Sequence, residues 1–394
     1  MESRYAQIYL DYNATTPCDS RVAESMWPYF TEHFGNASSS HHPYGWLAKD
    51  ALEEATGVIA AALGVQAREL VFTSGSTESI NSVLKGVFRK SGAERNHIIT
   101  SKAEHKAVLD VCAYLETQGA KVTYLDVTPK GLIDMEQLEQ TISENTLIVA
   151  VMLANNETGV IQELDQIAAL CKTCGSLLFS DATQALGKIG LGNFFDLVDF
   201  ACFSGHKLYG PKGIGLTYIS EERKDVLDPF IHGGGQQSGW RGGTYNTPAI
   251  VGLAKAVRLA VDQQVEEGKR LGELRDQLEH GLLGIEETVI NGSHVNRLPN
   301  TLNISFKYVD GEALLRALST HMAVSNGSAC NSASVNPSHV LKAMGLATDL
   351  AFSSLRFSLG RYTTPQDVEK VIDLVIREVS GQRASNILWE RRSR

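Results

Sequence analysis

The sequence predicts an α/β protein with a mostly parallel seven-stranded sheet covered by helices, and a smaller α+β domain after it. Two observations lead to this prediction. Short apolar runs rich in β-branched and aromatic residues alternate with helical patterns through the first two thirds of the chain, an alternation typical of parallel sheets. After one long helical stretch, the pattern changes to a mixture of strands and helices.

The first part of the chain contains seven candidate strands. They span residues 70–73, 97–100, 121–126, 146–153, 177–180, 199–204 and 213–219. Helical patterns fall between most of them, for example at 46–63, 105–116 and 164–174. Because ligands of parallel sheets bind at the carboxyl ends of the strands, the loops that follow the strands are the expected place for a site.

A long helical stretch at 248–283, rich in Ala, Leu, Glu and Arg, is predicted to bridge two domains. Beyond it, strands are predicted at 301–306 and 355–359, and helices at 311–318, 337–344 and 365–379. We expect residues 16–260 to form the large domain, and residues 1–15 together with 261–394 to form the small one.

Composition excludes several classes of protein. The 394 residues are 43% hydrophobic and 21% charged, which is ordinary for a globular protein. The net charge of −9 disfavours direct nucleic-acid binding. No apolar run is long enough for a membrane helix, and six scattered cysteines do not form a disulfide framework. We therefore expect a cytoplasmic protein without direct membrane contact.

The segment 72–78 (FTSGSTE) runs from a strand through a glycine turn into a helix. Free backbone N–H groups and the positive end of the helix dipole make such a corner a seat for a phosphate group. The alternative is a strand–helix turn that a hydroxyl caps and that binds nothing. The segment is neither a Walker loop nor a dinucleotide fingerprint, which argues against nucleotides.

Lys207 follows an apolar strand within the segment 203–213 (FSGHKLYGPKG). A lysine at the carboxyl end of a strand can form a Schiff base with a carbonyl compound when its surroundings lower its pKa. The alternative is a lysine of a surface loop, and Lys212 competes for the same role. Asp181 likewise ends an apolar run. Burial of its charge requires a partner such as a protonated heterocyclic nitrogen, unless Asp181 only caps the next helix.

Cys330 lies in a run of small polar residues, 324–334 (VSNGSACNSAS), which favours an exposed loop and a reactive thiol. The other cysteines differ. Cys171 and Cys174 form a C-x-x-C pair, but they share one helical stripe with apolar residues, which favours core packing over a redox or metal site. Cys112 and Cys202 also lie in apolar periodic segments.

A phosphate corner, a loop lysine, a strand-end acid and a reactive thiol together suggest a pyridoxal-phosphate enzyme with a catalytic cysteine. The chain resembles the cysteine desulfurases of the NifS/IscS type, within the fold-type I pyridoxal-phosphate enzymes. The resemblance covers nearly the whole chain, from YLDYNATTP at 9–17 to LRFSLGR at 355–361. It rests on the motifs SGSTES, ANNETG, DATQ, SGHKLYGPKG and GSAC.

The resemblance implies a role for each matching residue. The predicted catalytic residues are Cys330, Lys207 and His105. The predicted cofactor-binding residues are Lys207, Asp181, Gln184, Asn155, Ser76, Thr77, Ser204, His206 and Thr244. The predicted substrate-binding residues are Arg356, Asn13 and Asn155. Lys207 would bind the cofactor, Asp181 its pyridine nitrogen, His105 its ring face and Arg356 the substrate carboxylate. Thr244 would reach the site of a second subunit, and Ala14 would lie near the substrate entrance. No metal site is expected.

The resemblance also implies the reaction. Pyridoxal 5′-phosphate would serve as cofactor and L-cysteine as substrate, with alanine released and a persulfide left on Cys330. The persulfide sulfur would pass to a protein acceptor, in iron–sulfur cluster assembly, tRNA thiolation or DNA phosphorothioation. A homodimer is expected. A selenocysteine lyase, another fold-type I aminotransferase-like enzyme and a cofactor-free binding scaffold are the alternatives.

Overall fold

The computed structural model describes residues 7–92, 95–326 and 336–392. Its strands are β1 Ile8–Tyr9, β2 Leu70–Thr73, β3 His97–Ser101, β4 Lys121–Leu125, β5 Thr146–Ala150, β6 Leu177–Asp181, β7 Phe200–Ser204, β8 Gly215–Ile219, β9 Thr288–Ile290, β10 Thr301–Phe306, β11 Met322–Ala323 and β12 Ser354–Ser358. Its α-helices are α1 Ser20–Met26, α2 Pro28–Thr31, α3 Pro43–Leu63, α4 Ser76–Ser91, α5 Lys106–Thr117, α6 Met135–Thr141, α7 Leu164–Cys174, α8 Phe194–Leu197, α9 Thr247–Leu283, α10 Gly311–Leu318, α11 His339–Ala343, α12 Thr348–Phe352, α13 Pro365–Ala384 and α14 Ile387–Arg392.

The main sheet has seven strands in the order β2-β8-β7-β6-β5-β3-β4. Five neighbouring strands, β7, β6, β5, β3 and β4, are parallel, and β8 runs antiparallel to both β7 and β2. The prediction of a mostly parallel seven-stranded sheet is confirmed. Strands β5, β6 and β7 are buried throughout, as expected for a sheet with helices on both faces.

Helix boundaries follow local sequence signals. Helix α3 has Pro43 in its first turn and ends at Gly64, which adopts the left-handed conformation that glycine tolerates. Helix α13 begins with a capping box formed by Thr364 and Asp367. Helix α7 matches its predicted limits and buries Cys171, so the core-packing interpretation of this cysteine is confirmed.

Two apolar clusters cover the two faces of the main sheet, because alternate side chains of each strand point to opposite faces. Phe72 of β2 belongs to one cluster with α3, α7 and the first half of α9. Its neighbour Val71 belongs to the other with α4 and α5. Both cover the sheet from outside and leave the ends of its strands open.

A second group of elements follows. Strands β9, β10 and β12 form an antiparallel sheet in the order β12-β10-β9, and β1 pairs with β11. Helix α9 links the two parts, because Ile250, Leu253 and Val257 pack in the core of the main sheet. Leu274 and Leu278, further along α9, pack in the core of the second group. No helix among the described residues has the length and hydrophobicity needed to cross a lipid bilayer.

Candidate active site

A cavity of about 710 Å³ lies at the carboxyl ends of the central strands, where it also meets β12. It brings together ten of the residues that the sequence singled out. These are Asn13, Ser76, Thr77, His105, Asp181, Gln184, Ser204, His206, Lys207 and Arg356. The structure therefore places these residues beyond the carboxyl ends of the parallel strands, as the sequence predicted.

Lys207 lies one short turn beyond β7, in a 3₁₀ segment that spans Gly205–Lys207. Its Nζ donates hydrogen bonds to the backbone carbonyls of Asn13, at 2.6 Å, and of Ala14, at 2.7 Å. Burial and the nearby Arg356 lower the pKa of Lys207 to about 8. Such an amine is a better nucleophile at neutral pH than an ordinary lysine. Lys212 also lines the cavity, but it is exposed.

Asp181 is the last residue of β6 and is buried. Its Oδ1 accepts a hydrogen bond from the backbone N–H of Thr183 at 3.0 Å, which fixes the carboxylate at the turn after the strand. The carboxylate also raises the pKa of Lys207, in opposition to the effect of Arg356. The cavity thus contains an amine and a carboxylate that interact through their charges.

The predicted phosphate corner is built at the start of α4. Gly75 precedes the helix with a φ of 151°, a conformation that L side chains rarely adopt. A Cβ on Gly215 of β8 would lie 2.5 Å from the Cα of Gly75, so this corner requires glycine at a close backbone crossing. The hydroxyls of Ser76 and Thr183 are 2.5 Å apart, and Ser204 lies buried at the end of β7. Hydroxyls and free helix N–H groups therefore converge, which suits an anionic group.

Two histidines line the cavity in fixed orientations. The Nδ1 of His105 accepts a hydrogen bond from the backbone N–H of Ala107 at 3.1 Å, as the N-cap of α5. His206 Nδ1 lies 3.1 Å from Thr15 Oγ1. Desolvation lowers the pKa of both imidazoles, for His206 to about 4, with help from the charge of Lys207. Both rings are consequently neutral near pH 7.

Arg356, in the middle of β12, brings the second group of elements into the site. One Nη donates to Asp11 Oδ1 at 2.5 Å and the other to the Asn156 carbonyl at 3.1 Å. Its Nε is buried and has no hydrogen-bond partner. Arg356 lines the cavity, and a guanidinium is well suited to bind a ligand carboxylate there.

Three predicted residues lie outside this group. Asn155 is buried behind the wall, where its Oδ1 accepts from the backbone N–H groups of Glu157 and Thr158 and its Nδ2 donates to the Ala103 carbonyl. Thr244 is exposed in a loop away from the cavity. Cys330 lies outside the described residues. The roles of these three residues stay predictions.

The chain on both sides of Cys330 is anchored near the cavity. Ser325 exchanges backbone hydrogen bonds with Arg356. Ser338 Oγ donates to Glu157 Oε2 at 2.5 Å, and His339 Nε2 lies 2.8 Å from the Glu104 carbonyl oxygen. Ser325 on one side of the segment that contains Cys330 therefore lies beside Arg356, a lining residue of the cavity.

Sequence reasoning missed several residues that shape the site. Asp11 pairs with Arg356, and Glu104 is a fully buried carboxyl directly before His105. Lys188 hydrogen bonds both Asn13 and Gln184. Asp11 lies within the quoted segment 9–17, and Glu104 is next to the predicted residue His105. The third was detectable only from its spacing of four residues from Gln184, which by itself carries little information.

The chain was compared with known proteins. The model of the aminotransferase class-V family matches residues 8–371. The chain belongs to this family. A cysteine desulfurase IscS of Pasteurella multocida is 48% identical over 386 residues, with 97% of this chain and 95% of that protein covered. A cysteine desulfurase IscS of Rickettsia bellii is 45% identical and also covers 97% of this chain, with 93% of that protein covered.

A solved structure described as a NifS-like protein superimposes with a TM-score of 0.89 at 38% identity, covering 95% of this chain and 99% of that one. These similarities place the chain among the cysteine desulfurases of the class-V aminotransferases. The resemblance noted from its motifs is confirmed, and the chain is an enzyme.

Proposed function

We propose that this enzyme is a pyridoxal-phosphate-dependent cysteine desulfurase that converts L-cysteine to L-alanine and leaves the sulfur as a persulfide on Cys330. One observation carries the proposal. Lys207, Asp181, the hydroxyl-lined corner at Ser76 and Arg356 all face one cavity at the carboxyl ends of the sheet strands. The cysteine desulfurase relatives at 45–48% identity support the same reaction.

The residues of the cavity fit pyridoxal phosphate. This cofactor requires an amine for its aldehyde, an acid for its ring nitrogen and a seat for its phosphate. Lys207 supplies the amine, Asp181 the acid and the start of α4 the phosphate seat. The close crossing of Gly75 and Gly215 permits the tight turn that brings the start of α4 to the cavity.

When bound, pyridoxal phosphate supplies an electron sink for the bonds at the substrate α-carbon. Lys207 would hold the cofactor through its Nζ and, when free, would move protons at the substrate carbon. A pKa of about 8 suits both tasks, because the amine exchanges protons readily near neutral pH. Asp181 would pair with the ring nitrogen, and His105 would contact the ring.

Arg356 binds the carboxylate of the substrate. Its guanidinium is fixed by Asp11 and the Asn156 carbonyl, so it retains its orientation before the substrate arrives. Arg356 lines the cavity, so its guanidinium meets the carboxylate of a substrate that enters there. A pre-oriented cation of this kind positions the substrate sulfur relative to the reactive thiol.

The sulfur step needs a thiolate. Cys330 attacks the substrate sulfur and an S–S bond forms, while the carbon–sulfur bond breaks with its electron pair toward carbon. Protonation of that carbon yields alanine. The anchors of the Cys330 segment, at Ser325 beside Arg356 and at Ser338 beside Glu157, support delivery of the thiol to this cavity.

A homodimer forms part of the proposal. Several large apolar side chains of the segment 27–47 are exposed, namely Trp27, Phe30, Phe34, Tyr44, Trp46 and Leu47. Several exposed large apolar side chains in one short segment are typical of a protein interface. Thr244, exposed in its loop, would then complete the phosphate site of the partner subunit. The acceptor of the persulfide sulfur is proposed to be another protein.

The test uses Cys330→Ser and, as a matched control, Cys18→Ser, since Cys18 is an exposed thiol. We expect Cys330→Ser to bind pyridoxal phosphate with the wild-type visible absorption but to release at most about 1% of the wild-type sulfide from L-cysteine with a reductant. Cys18→Ser should match wild type in both measurements. Undiminished sulfide release by Cys330→Ser would refute the persulfide assignment. A protein that fails to take up pyridoxal phosphate would refute the proposed function as a whole.

A further inference from the structure

Lys188 lies behind the cavity wall, seven residues after Asp181, and has no place in the proposed reaction. Its Nζ donates one hydrogen bond to Gln184 Oε1 at 2.5 Å and one to Asn13 Oδ1 at 3.0 Å. Burial, together with the charges of Lys207 and Arg356, lowers the pKa of Lys188 well below its ordinary value. The side chain is partly buried, and an amine that loses hydration without an acidic partner is costly to maintain, which points to a function.

The partners of Lys188 are amide oxygens and not carboxylates. Within the part of the chain that the structure describes, no ion pair joins Lys188 to an acid, whereas Lys102 pairs with Asp126 and Lys307 with Glu287 at the surface. The Lys188 amine instead donates hydrogen bonds to two amide oxygens. Lys188 therefore acts through directed hydrogen bonds.

These hydrogen bonds determine which way the side-chain amide of Gln184 faces. The two ends of an amide have nearly the same shape, and only their hydrogen-bond partners distinguish them. If the amide turned over, its NH₂ group would face the amine, and an N–H of Lys188 would lose its acceptor. Lys188 consequently holds Oε1 of Gln184 toward itself, so that Nε2 is the end of the amide directed to the cavity.

The opposite end of the same amide reaches the reaction centre. Gln184 Nε2 donates to the backbone carbonyl of Asn13 at 3.0 Å, and Lys207 Nζ donates to the same oxygen at 2.6 Å. One N–H of Gln184 is left for a ligand in the cavity that this residue lines. The amide thus offers a donor, and not an acceptor, to an oxygen of a bound ligand.

Asn13 is held by the same cluster. Its Oδ1 also accepts from Asn300 Nδ2 at 3.1 Å, and its Nδ2 donates to Thr301 Oγ1 at 2.9 Å. Lys188 therefore connects the turn after β6 with the start of β10 through Asn13. This places the carbonyl of Asn13 where the Lys207 amine contacts it.

We propose that Lys188 is a positioning residue: its amine orients the Gln184 amide as a hydrogen-bond donor toward the oxygen substituent of the cofactor ring. The proposal rests on the proposed function, because it assigns the ligand of the donor to bound pyridoxal phosphate. Its consequence is that most of the effect of Lys188 on cofactor binding passes through Gln184, with a smaller part through Asn13.

The test is a double-mutant cycle on the apoenzyme, with the pyridoxal-phosphate dissociation constant and the visible absorption spectrum as readouts. Lys188→Met removes the amine and keeps the length of the side chain. We expect it to weaken binding about tenfold, the order expected for loss of one hydrogen bond. In the Gln184→Ala background the same change should weaken binding less than about twofold. The spectrum of Lys188→Met should shift toward that of Gln184→Ala.

Lys172→Met, at the exposed end of α7, is the matched control and should bind like wild type. If Lys188→Met does not fold, as judged by circular dichroism, Lys188→Gln retains a donor and takes its place with a smaller expected effect. Equal weakening in both backgrounds would mean that Lys188 supports the fold in general and would overturn the proposal. Wild-type affinity in Lys188→Met would overturn it too. Failure of the wild-type protein itself to bind pyridoxal phosphate would refute the proposed function instead.

Discussion

The pH dependence of cofactor capture by Lys207 provides a direct measurement of its environment. Burial is the main cause that lowers the pKa of this amine to about 8, and Arg356 adds to the effect. Asp181 and Asp11 act in the opposite direction. Because only the neutral amine attacks an aldehyde, the rate of capture should follow the fraction of Lys207 that has lost its proton.

The expected magnitude follows from the position of the pKa. With a pKa of about 8, roughly 9% of Lys207 is neutral at pH 7, against about 0.03% for a pKa of 10.5. The capture rate at pH 7 should therefore exceed that of an ordinary lysine by roughly 300-fold for this reason alone. The rate should rise with pH and level off above about pH 9.

Two substitutions test the cause of the shift. Arg356→Met removes a cation and should move the midpoint to higher pH, whereas Asp11→Asn removes an anion and should move it to lower pH. Arg258→Met removes a cation from an exposed pair on α9 and should leave the midpoint unchanged. The assay is stopped-flow absorbance of the apoenzyme mixed with pyridoxal phosphate between pH 7 and about pH 10.

Two results would refute this reasoning. A rate that keeps rising to about pH 10 without levelling off would mean that Lys207 has an ordinary pKa. A midpoint that moves in the same direction in Arg356→Met and Asp11→Asn would mean that the two charges do not act on Lys207 as the structure implies.

Two further predictions concern Glu104 and Arg356. Burial raises the pKa of Glu104 to about 8, so between its ordinary value and pH 8 the folded protein keeps a proton that the unfolded chain has lost. Rising pH should then lower the free energy of unfolding by up to roughly 4 kcal/mol. Glu104→Gln should reduce this loss, measured by urea unfolding between about pH 5 and pH 8. If the free energy of unfolding depends on pH in the variant as it does in wild type, the prediction is wrong. Arg356→Lys should raise the KM for L-cysteine by about tenfold or more with unchanged cofactor absorption, because an ammonium cannot make the paired contacts of a guanidinium. Steady-state kinetics measure this change, and an unchanged KM would exclude the carboxylate contact.

Local pattern predicted the frame of the fold well. Strands β6 and β7 are short, fully buried apolar runs, and helix α7 matches its predicted limits residue for residue. These elements are encoded by neighbouring residues, since burial on both faces of a parallel sheet requires an unbroken apolar run. The short strand β11 and the small helix α6 were not predicted, because an element of a few residues has too short a hydrophobic pattern to be recognised in the sequence.

The sequence by itself determined that Lys207 and Asp181 end neighbouring strands of one sheet, since parallel strands place their carboxyl ends at one edge. Only the tertiary structure decided which hydrogen-bond and charge partners surround these groups. Lys207 contacts the carbonyl of Asn13 across 194 positions of the chain, and Arg356 meets Asp11 across 345. Such contacts depend on how separate elements pack, and no local pattern records them. The same packing buries Glu104 and partly buries Lys188, and burial is what changes the chemistry of an ordinary side chain.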